Sequence, residues 1–211
     1  MIIDGEFPYI IKEVPSNIIN ELKEEINKDS LPAYNHKLAG NIEKEFQLVN
    51  QNHKLNNFVY DLCEEFINKH EIIKGPDGFF IDKRVLEKTF LVDSTWVNFQ
   101  KKYEFNPQHV HSGIFSFVLY VQVPYFIQEE DQHVNSKNAR NKLNSRFLFF
   151  GAKPSGELIS KSLDIDKTWE NKMILFPSFL DHGVHPFFTS DEYRISISGN
   201  VNHRFINHEY F

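Results

Sequence analysis

The chain has 211 residues, 41% of them hydrophobic and 21 of them phenylalanine, which is enough for one domain with a well-filled core. Its formal net charge is −6 at pH 7 and its pI about 5.9, so the basic footprint of a nucleic-acid binder is missing and no nucleic-acid partner is expected. A single cysteine, Cys63, excludes an internal disulfide, and no stretch approaches the ~20 apolar residues of a membrane span.

The first residues, MIIDGEFPYI, lack the basic start and long apolar run of a signal peptide, so a cytoplasmic location is expected. Helices come next. In residues 16–28, SNIINELKEEINK, the side chains of Ile18, Ile19, Leu22 and Ile26 fall on one helical face, with Ser16 placed as N-cap after Pro15. Residues 56–70 carry two apolar stripes, Phe58, Leu62, Phe66 and Val59, Cys63, Ile67, a wide face for packing on a sheet. Between these helices LPAYNHKLAGNIEKEF reads as a loop leading into a short helix, and GPDG at 75–78 marks a turn.

After about residue 88 the period falls to two. WVNFQ alternates Trp96, Asn98 and Gln100 against Val97 and Phe99. IFSFVLYVQV sets Phe115, Phe117, Leu119, Val121 and Val123 against Ile114, Ser116, Val118 and Tyr120. RFLFFGA, GELIS and KMILFP read as further strands, and YRISISGNV sets Tyr193, Ile195, Ile197 and Val201 against Arg194, Ser196, Ser198 and Asn200. The polar run 128–145 reads as a loop or lid inserted between strands, with the composition of a mobile segment. The pattern predicts a mainly β chain with N-terminal helices: one domain, residues 1–87 mainly helical and 88–211 an antiparallel double-sheet jelly roll with a polar interior.

That interior holds the chemistry. In PQHVHSG, His109 and His111 are two apart, a strand spacing that points both imidazoles to one side. A third imidazole comes from FPSFLDHGVHP. His182, just after the strand KMILFP, is favoured over His185, because residues three apart in extended backbone face opposite ways. The usual iron triad is two histidines and a carboxylate, yet residue 111 is a histidine. Either His109, His111 and His182 bind the metal, or His111 and His182 bind alone and Gly113 leaves a position open for water or halide. Arg194 with Ser196 on the same strand face suits a carboxylate. Asn98, Gln100 and Tyr120 are further candidates for cosubstrate or substrate, and Asp181 for orienting a ligand imidazole.

The ordered run WVNFQ, QHVHSGIFSFVLYVQVPY, MILFPSFLDHGVHPF and YRISISGNV, with YNHKLAGNIEKEF near the start, resembles the 2-oxoglutarate/Fe(II)-dependent oxygenases, of a kind often encoded by bacteriophages. The resemblance implies a cupin-like double-stranded β-helix. It also implies Fe(II) at the histidines and 2-oxoglutarate held by Arg194 and Ser196, beside which the strand pattern sets Tyr120 and Asn98 as cosubstrate candidates. The partners it implies are 2-oxoglutarate, dioxygen and a substrate to be hydroxylated, or halogenated on the Gly113 reading. Two other classes stay open: a cupin-like three-histidine dioxygenase that does not use 2-oxoglutarate, and a non-catalytic barrel serving as a binding module. The sequence carries no signal for the substrate or for an oligomeric state.

Overall fold

The computed structural model of the protein describes residues 7–27, 31–49, 52–69, 72–74, 80–82 and 90–203. The turn predicted at GPDG, 75–78, lies outside them. The chain opens with strand β1 (Ile10–Glu13), followed by helix α1 (Ser16–Ile26), which buries Ile18, Ile19, Leu22 and Ile26 as its periodicity requires. Ser16 is not the cap: Pro15 holds that position, and its carbonyl accepts from the amides of Ile18 and Ile19. Helix α2 (His53–Lys69) starts ahead of the predicted Asn56, because the Asn52 side chain caps it by accepting from the Leu55 amide at 3.0 Å.

The segment read as a short helix is instead strand β2 (Lys44–Gln47), preceded by a 3-10 turn at Asn35–Lys37. So short a stretch has little helical stability of its own, whereas pairing along a neighbouring strand satisfies its backbone groups and buries Glu45. Two short strands, β3 (Ile72–Lys74) and β4 (Phe80–Asp82), pair with each other.

The barrel follows: β5 (Phe90–Gln100), β6 (Asn106–His109), β7 (Phe115–Gln122), helix α3 (Ile127–Gln132), β8 (Phe147–Ala152), β9 (Leu158–Leu163), β10 (Lys172–Pro177), β11 (His182–Val184) and β12 (Arg194–His203). The larger sheet runs β1-β10-β7-β12-β5-β2 and the smaller β6-β11-β8-β9, with every pairing antiparallel. The N-terminal part is therefore not only helical, since it supplies both edge strands of the larger sheet.

Alternation along the central strands divides the core in two. Phe115, Phe117, Leu119 and Val121 of β7, with Ile197 and Val201 of β12 and Val97 of β5, pack against the apolar faces of α1 and α2. The opposite face of the sheet, with Tyr120, Ile174 and Phe176, packs against Phe147 and Phe149 of the smaller sheet. Val123 breaks the predicted pattern and joins this second cluster, one residue past the end of β7. Gly199 lets β12 cross the sheet centre, since a Cβ there would lie 2.5 Å from the Phe117 ring.

The polar segment 128–145 is pinned. Glu130 is fully buried and accepts from the Phe188 and Thr189 amides at 2.9 and 2.8 Å and from the Thr189 hydroxyl at 2.7 Å. Just beyond it, Arg146 pairs with Asp131 and Asp164. Composition alone suggests mobility, but these buried polar contacts hold the segment against the barrel.

Candidate metal centre

One ring nitrogen from each of His109, His111 and His182 lies within 4.8 Å of the others. His109 closes β6, and His182 opens β11 directly opposite it in the antiparallel register. His111 lies past the end of β6 rather than within a strand, and its amide donates to the Ser178 carbonyl at 2.9 Å. The intervening Val110 is exposed, so the two imidazoles share a side as alternation requires. Phe147 stacks on the His182 ring, with centroids 5.4 Å apart and planes 11° from parallel, and supplies an apolar wall.

The protonation of these rings is set locally. His109 Nδ1 lies 2.6 Å from the Pro107 carbonyl and His182 Nδ1 lies 2.8 Å from the Leu180 carbonyl. A carbonyl only accepts, so each Nδ1 carries the hydrogen, and in the neutral ring Nε2 keeps a lone pair for an ion. Burial, helped by the neighbouring imidazoles, holds His182 well below the ordinary histidine range, and burial with His109 beside it pushes His111 down to about 4. Both rings are neutral near pH 7, the form that ligates metal.

The same cavity is lined by Trp96, Asn98 and Gln100 of β5, Tyr120 of β7, and Arg194, Ser196 and Ser198 of β12. Arg194 is 1% exposed. Its Nε and Nη2 donate to Gln100 Oε1 at 3.1 and 2.6 Å, its Nη1 to the Tyr125 hydroxyl and the Ser145 carbonyl at 2.8 and 3.1 Å, and its Nη2 to the His185 carbonyl at 3.3 Å. Every one of these acceptors is neutral. Asn98 Nδ2 donates to Ser196 Oγ at 3.2 Å.

Other candidates fall elsewhere. His185 meets Arg194 through its backbone and is not in the histidine cluster. Asp181 accepts from Gln108 rather than from an imidazole. Gly113 is an exposed turn residue at φ +98°, where a Cβ would lie 2.8 Å from the Val201 carbonyl, and it lines no part of the cavity. Its glycine is required by the backbone, which removes the structural basis for reading it as a vacated ligand position.

Residues 94–200, just over half of the chain, match the family described as "Putative 2OG-Fe(II) oxygenase". The chain belongs to this oxygenase family. Among solved structures the oxygenase is similar to a prolyl-4-hydroxylase from Pseudomonas putida (14% identity, TM-score 0.52, covering 94% of each chain). It is also similar to a 2OG-Fe(II) oxygenase family oxidoreductase from Burkholderia pseudomallei (12% identity, TM-score 0.52, covering 92% of this chain and 84% of that one). A third is SnoN, a non-heme alpha ketoglutarate dependent epimerase from nogalamycin biosynthesis (9% identity, TM-score 0.53, covering 92% and 78%). At these identities the likeness is one of fold, the double-stranded β-helix. No curated protein matches the chain.

Family membership implies iron(II) and 2-oxoglutarate, and the donor set of the oxygenase fits an ion of this kind. Three imidazoles with bare nitrogens suit iron, as they would zinc, nickel or copper. Among the described residues no carboxylate joins them, so the set departs from the usual triad of two histidines and a carboxylate. Nothing in the residue pattern pointed to Tyr125, the Ser145 carbonyl or the ring of Phe187, 5.5 Å from the guanidinium carbon, which complete the surroundings of Arg194. Glu45, a buried acid on the cavity wall, was equally hidden. Burial and the charge of Glu104 push its carboxyl up to about 7.

Proposed function

We propose that the protein is a 2-oxoglutarate- and Fe(II)-dependent hydroxylase, acting as one cytoplasmic domain, with His109, His111 and His182 as iron ligands and Arg194 as anchor of the far carboxylate of 2-oxoglutarate. The observation that carries this reading is the electrostatic state of Arg194: a fully buried cation whose five bonds all end on neutral oxygens. A buried charge with no counter-charge is expensive, and a dicarboxylate entering the same cavity supplies one.

Bound iron(II) and 2-oxoglutarate supply the oxidising chemistry, in which dioxygen is consumed, 2-oxoglutarate becomes succinate and carbon dioxide, and one oxygen atom goes to the substrate. The protein binds, orients and excludes water. Gln100 Oε1 takes two guanidinium hydrogens, the position a carboxylate occupies in a bidentate pair, so Gln100 is the group that yields to the cosubstrate. Asn98 Nδ2 donates to Ser196 Oγ, which leaves the serine hydrogen free to donate into the cavity. Tyr120, buried and held above the ordinary tyrosine range, stays protonated and offers a second hydroxyl. Imidazole ligands bring no negative charge, so they would leave the charge of the ion unoffset by protein, which favours an anionic chelator.

The test is succinate formation from 2-oxoglutarate with iron(II) and ascorbate. Wild type should form succinate. Arg194→Ala should lose about 2–5 kcal/mol of 2-oxoglutarate binding, the usual loss on truncating one side of a buried charge pair. Metal retention without 2-oxoglutarate binding would instead favour the three-histidine dioxygenase that does without it. An ion-free protein would favour the binding module.

A further inference from the structure

Two buried oxygens on the cavity wall lack a hydrogen-bond partner. Glu45 Oε2 and Asn98 Oδ1 are shielded from solvent, and neither has a hydrogen-bond partner. Their residues are 1% and 4% exposed and stand directly opposite one another in the pairing of β2 with β5. Both line the cavity that holds the histidines and Arg194. Directly paired residues share a sheet face, with Cβ atoms ~5 Å apart. Gly40 belongs to the same construction: a Cβ there would fall 2.7 Å from Glu45 Oε1, so the missing side chain makes room for the carboxyl. Buried acceptors are almost always satisfied, and two orphans side by side on a cavity wall mark the place of a missing donor.

We propose that Glu45 and Asn98 Oδ1 form the substrate-recognition pair, and that the substrate presents a positively charged nitrogen bearing several hydrogens, an ammonium or a guanidinium. The inference rests on the oxygenase reading of this cavity. A hydroxyl brings one hydrogen and no charge, so it satisfies one oxygen and leaves the carboxylate unbalanced. An ammonium brings three hydrogens and a guanidinium five, and either cancels the charge of Glu45. Trp96 lines the same cavity, its ring centroid 5.8 Å from that of His111, and so reports on what enters. The raised pKa of Glu45, at about 7, is what burial imposes on an acid with no cation beside it. The cavity thus sorts its ligands by charge, with the diacid at Arg194 and the cationic group at Glu45.

The test is a titration of the Zn(II)- and 2-oxoglutarate-loaded protein, following the Trp96 indole signal by NMR. The probes are n-butylammonium, n-butylguanidinium and n-butanol, three groups on one carbon chain. The two cations should give saturable shifts at concentrations where n-butanol gives none. Glu45→Gln should weaken both cations at least tenfold, while Glu45→Asp, which keeps the charge, should retain the preference over n-butanol. Butanol binding as well as the cations, or equal cation affinity in wild type and Glu45→Gln, would overturn the inference alone, provided calorimetry on the same samples shows 2-oxoglutarate bound. Failure of wild type to bind 2-oxoglutarate would overturn the oxygenase reading and this inference with it.

Discussion

At the scale of single residues, the hydrogen on each imidazole decides what the cavity holds. Carbonyl oxygens at Pro107 and Leu180 fix Nδ1–H on His109 and His182, which leaves Nε2 to an ion. His109→Ala, His111→Ala and His182→Ala should each lower Mn(II) affinity by at least about tenfold in equilibrium dialysis, since even residues behind a ligand are worth that much. His111→Asp, which puts a carboxylate at that position, should keep the ion; undiminished affinity in His111→Ala would show that residue 111 is not a ligand position. Glu45 gives a pH prediction of opposite character. Its carboxyl titrates at about 7 in the folded chain against 4.5 in its ordinary state. Between those values the folded protein holds a proton that the unfolded chain has released, so this contribution to stability is lost as pH rises. Denaturant unfolding of the metal-free protein should therefore show Glu45→Gln gaining on wild type between pH 5 and pH 8. A constant difference across that range would contradict a buried, raised carboxyl.

At the scale of elements, the segment from α3 to β8 supports the surroundings of Arg194, the proposed anion site, from behind. The Glu130 carboxylate ties down Phe188 and Thr189, and the Ser145 carbonyl accepts from Arg194. Glu130→Ala strands two amides and a hydroxyl and should destabilise the fold by roughly 3 kcal/mol or more. It should also weaken 2-oxoglutarate binding in calorimetry, although Glu130 does not touch the cavity. Unchanged affinity would uncouple the segment from the anion site. Gly199→Ala, which forces a methyl against Phe117, should cost about 1–3 kcal/mol in chemical denaturation without touching the histidines. The strands legible in the sequence are the long ones. β5 and β12 alternate over enough residues for the pattern alone to assign Trp96, Asn98 and Gln100, and Arg194 and Ser196, to polar faces, and all five line the cavity. β2 is not legible, because KEFQ is four residues of mixed polarity whose state is decided by pairing with β5. Glu45 is hidden with it. Tyr125 and Ser145 are hidden for a different reason: they meet Arg194 through tertiary contacts, one of them by a backbone carbonyl that no residue type announces.

At the scale of the whole molecule, two apolar layers hold a polar cavity between sheets. One layer joins the larger sheet to α1 and α2, and the other joins the two sheets around Phe147, Phe149 and Phe176. The histidines bridge β6 and β11 at one edge of that second layer. An ion bound there cross-links the smaller sheet, so a metal present at a hundred times its dissociation constant should add about 2.7 kcal/mol to stability, and a melting curve should show the gain. No helix among the described residues is long and apolar enough to cross a membrane. The metal and anion assignments are tested together by a crystal of the protein grown with Mn(II) and 2-oxoglutarate, with anomalous scattering measured at the manganese edge. One peak is expected among His109, His111 and His182, with the diacid reaching from the ion to Arg194. A peak elsewhere, or an ion that leaves His111 free, would contradict the metal assignment, and a diacid bound away from that guanidinium would contradict the anion assignment.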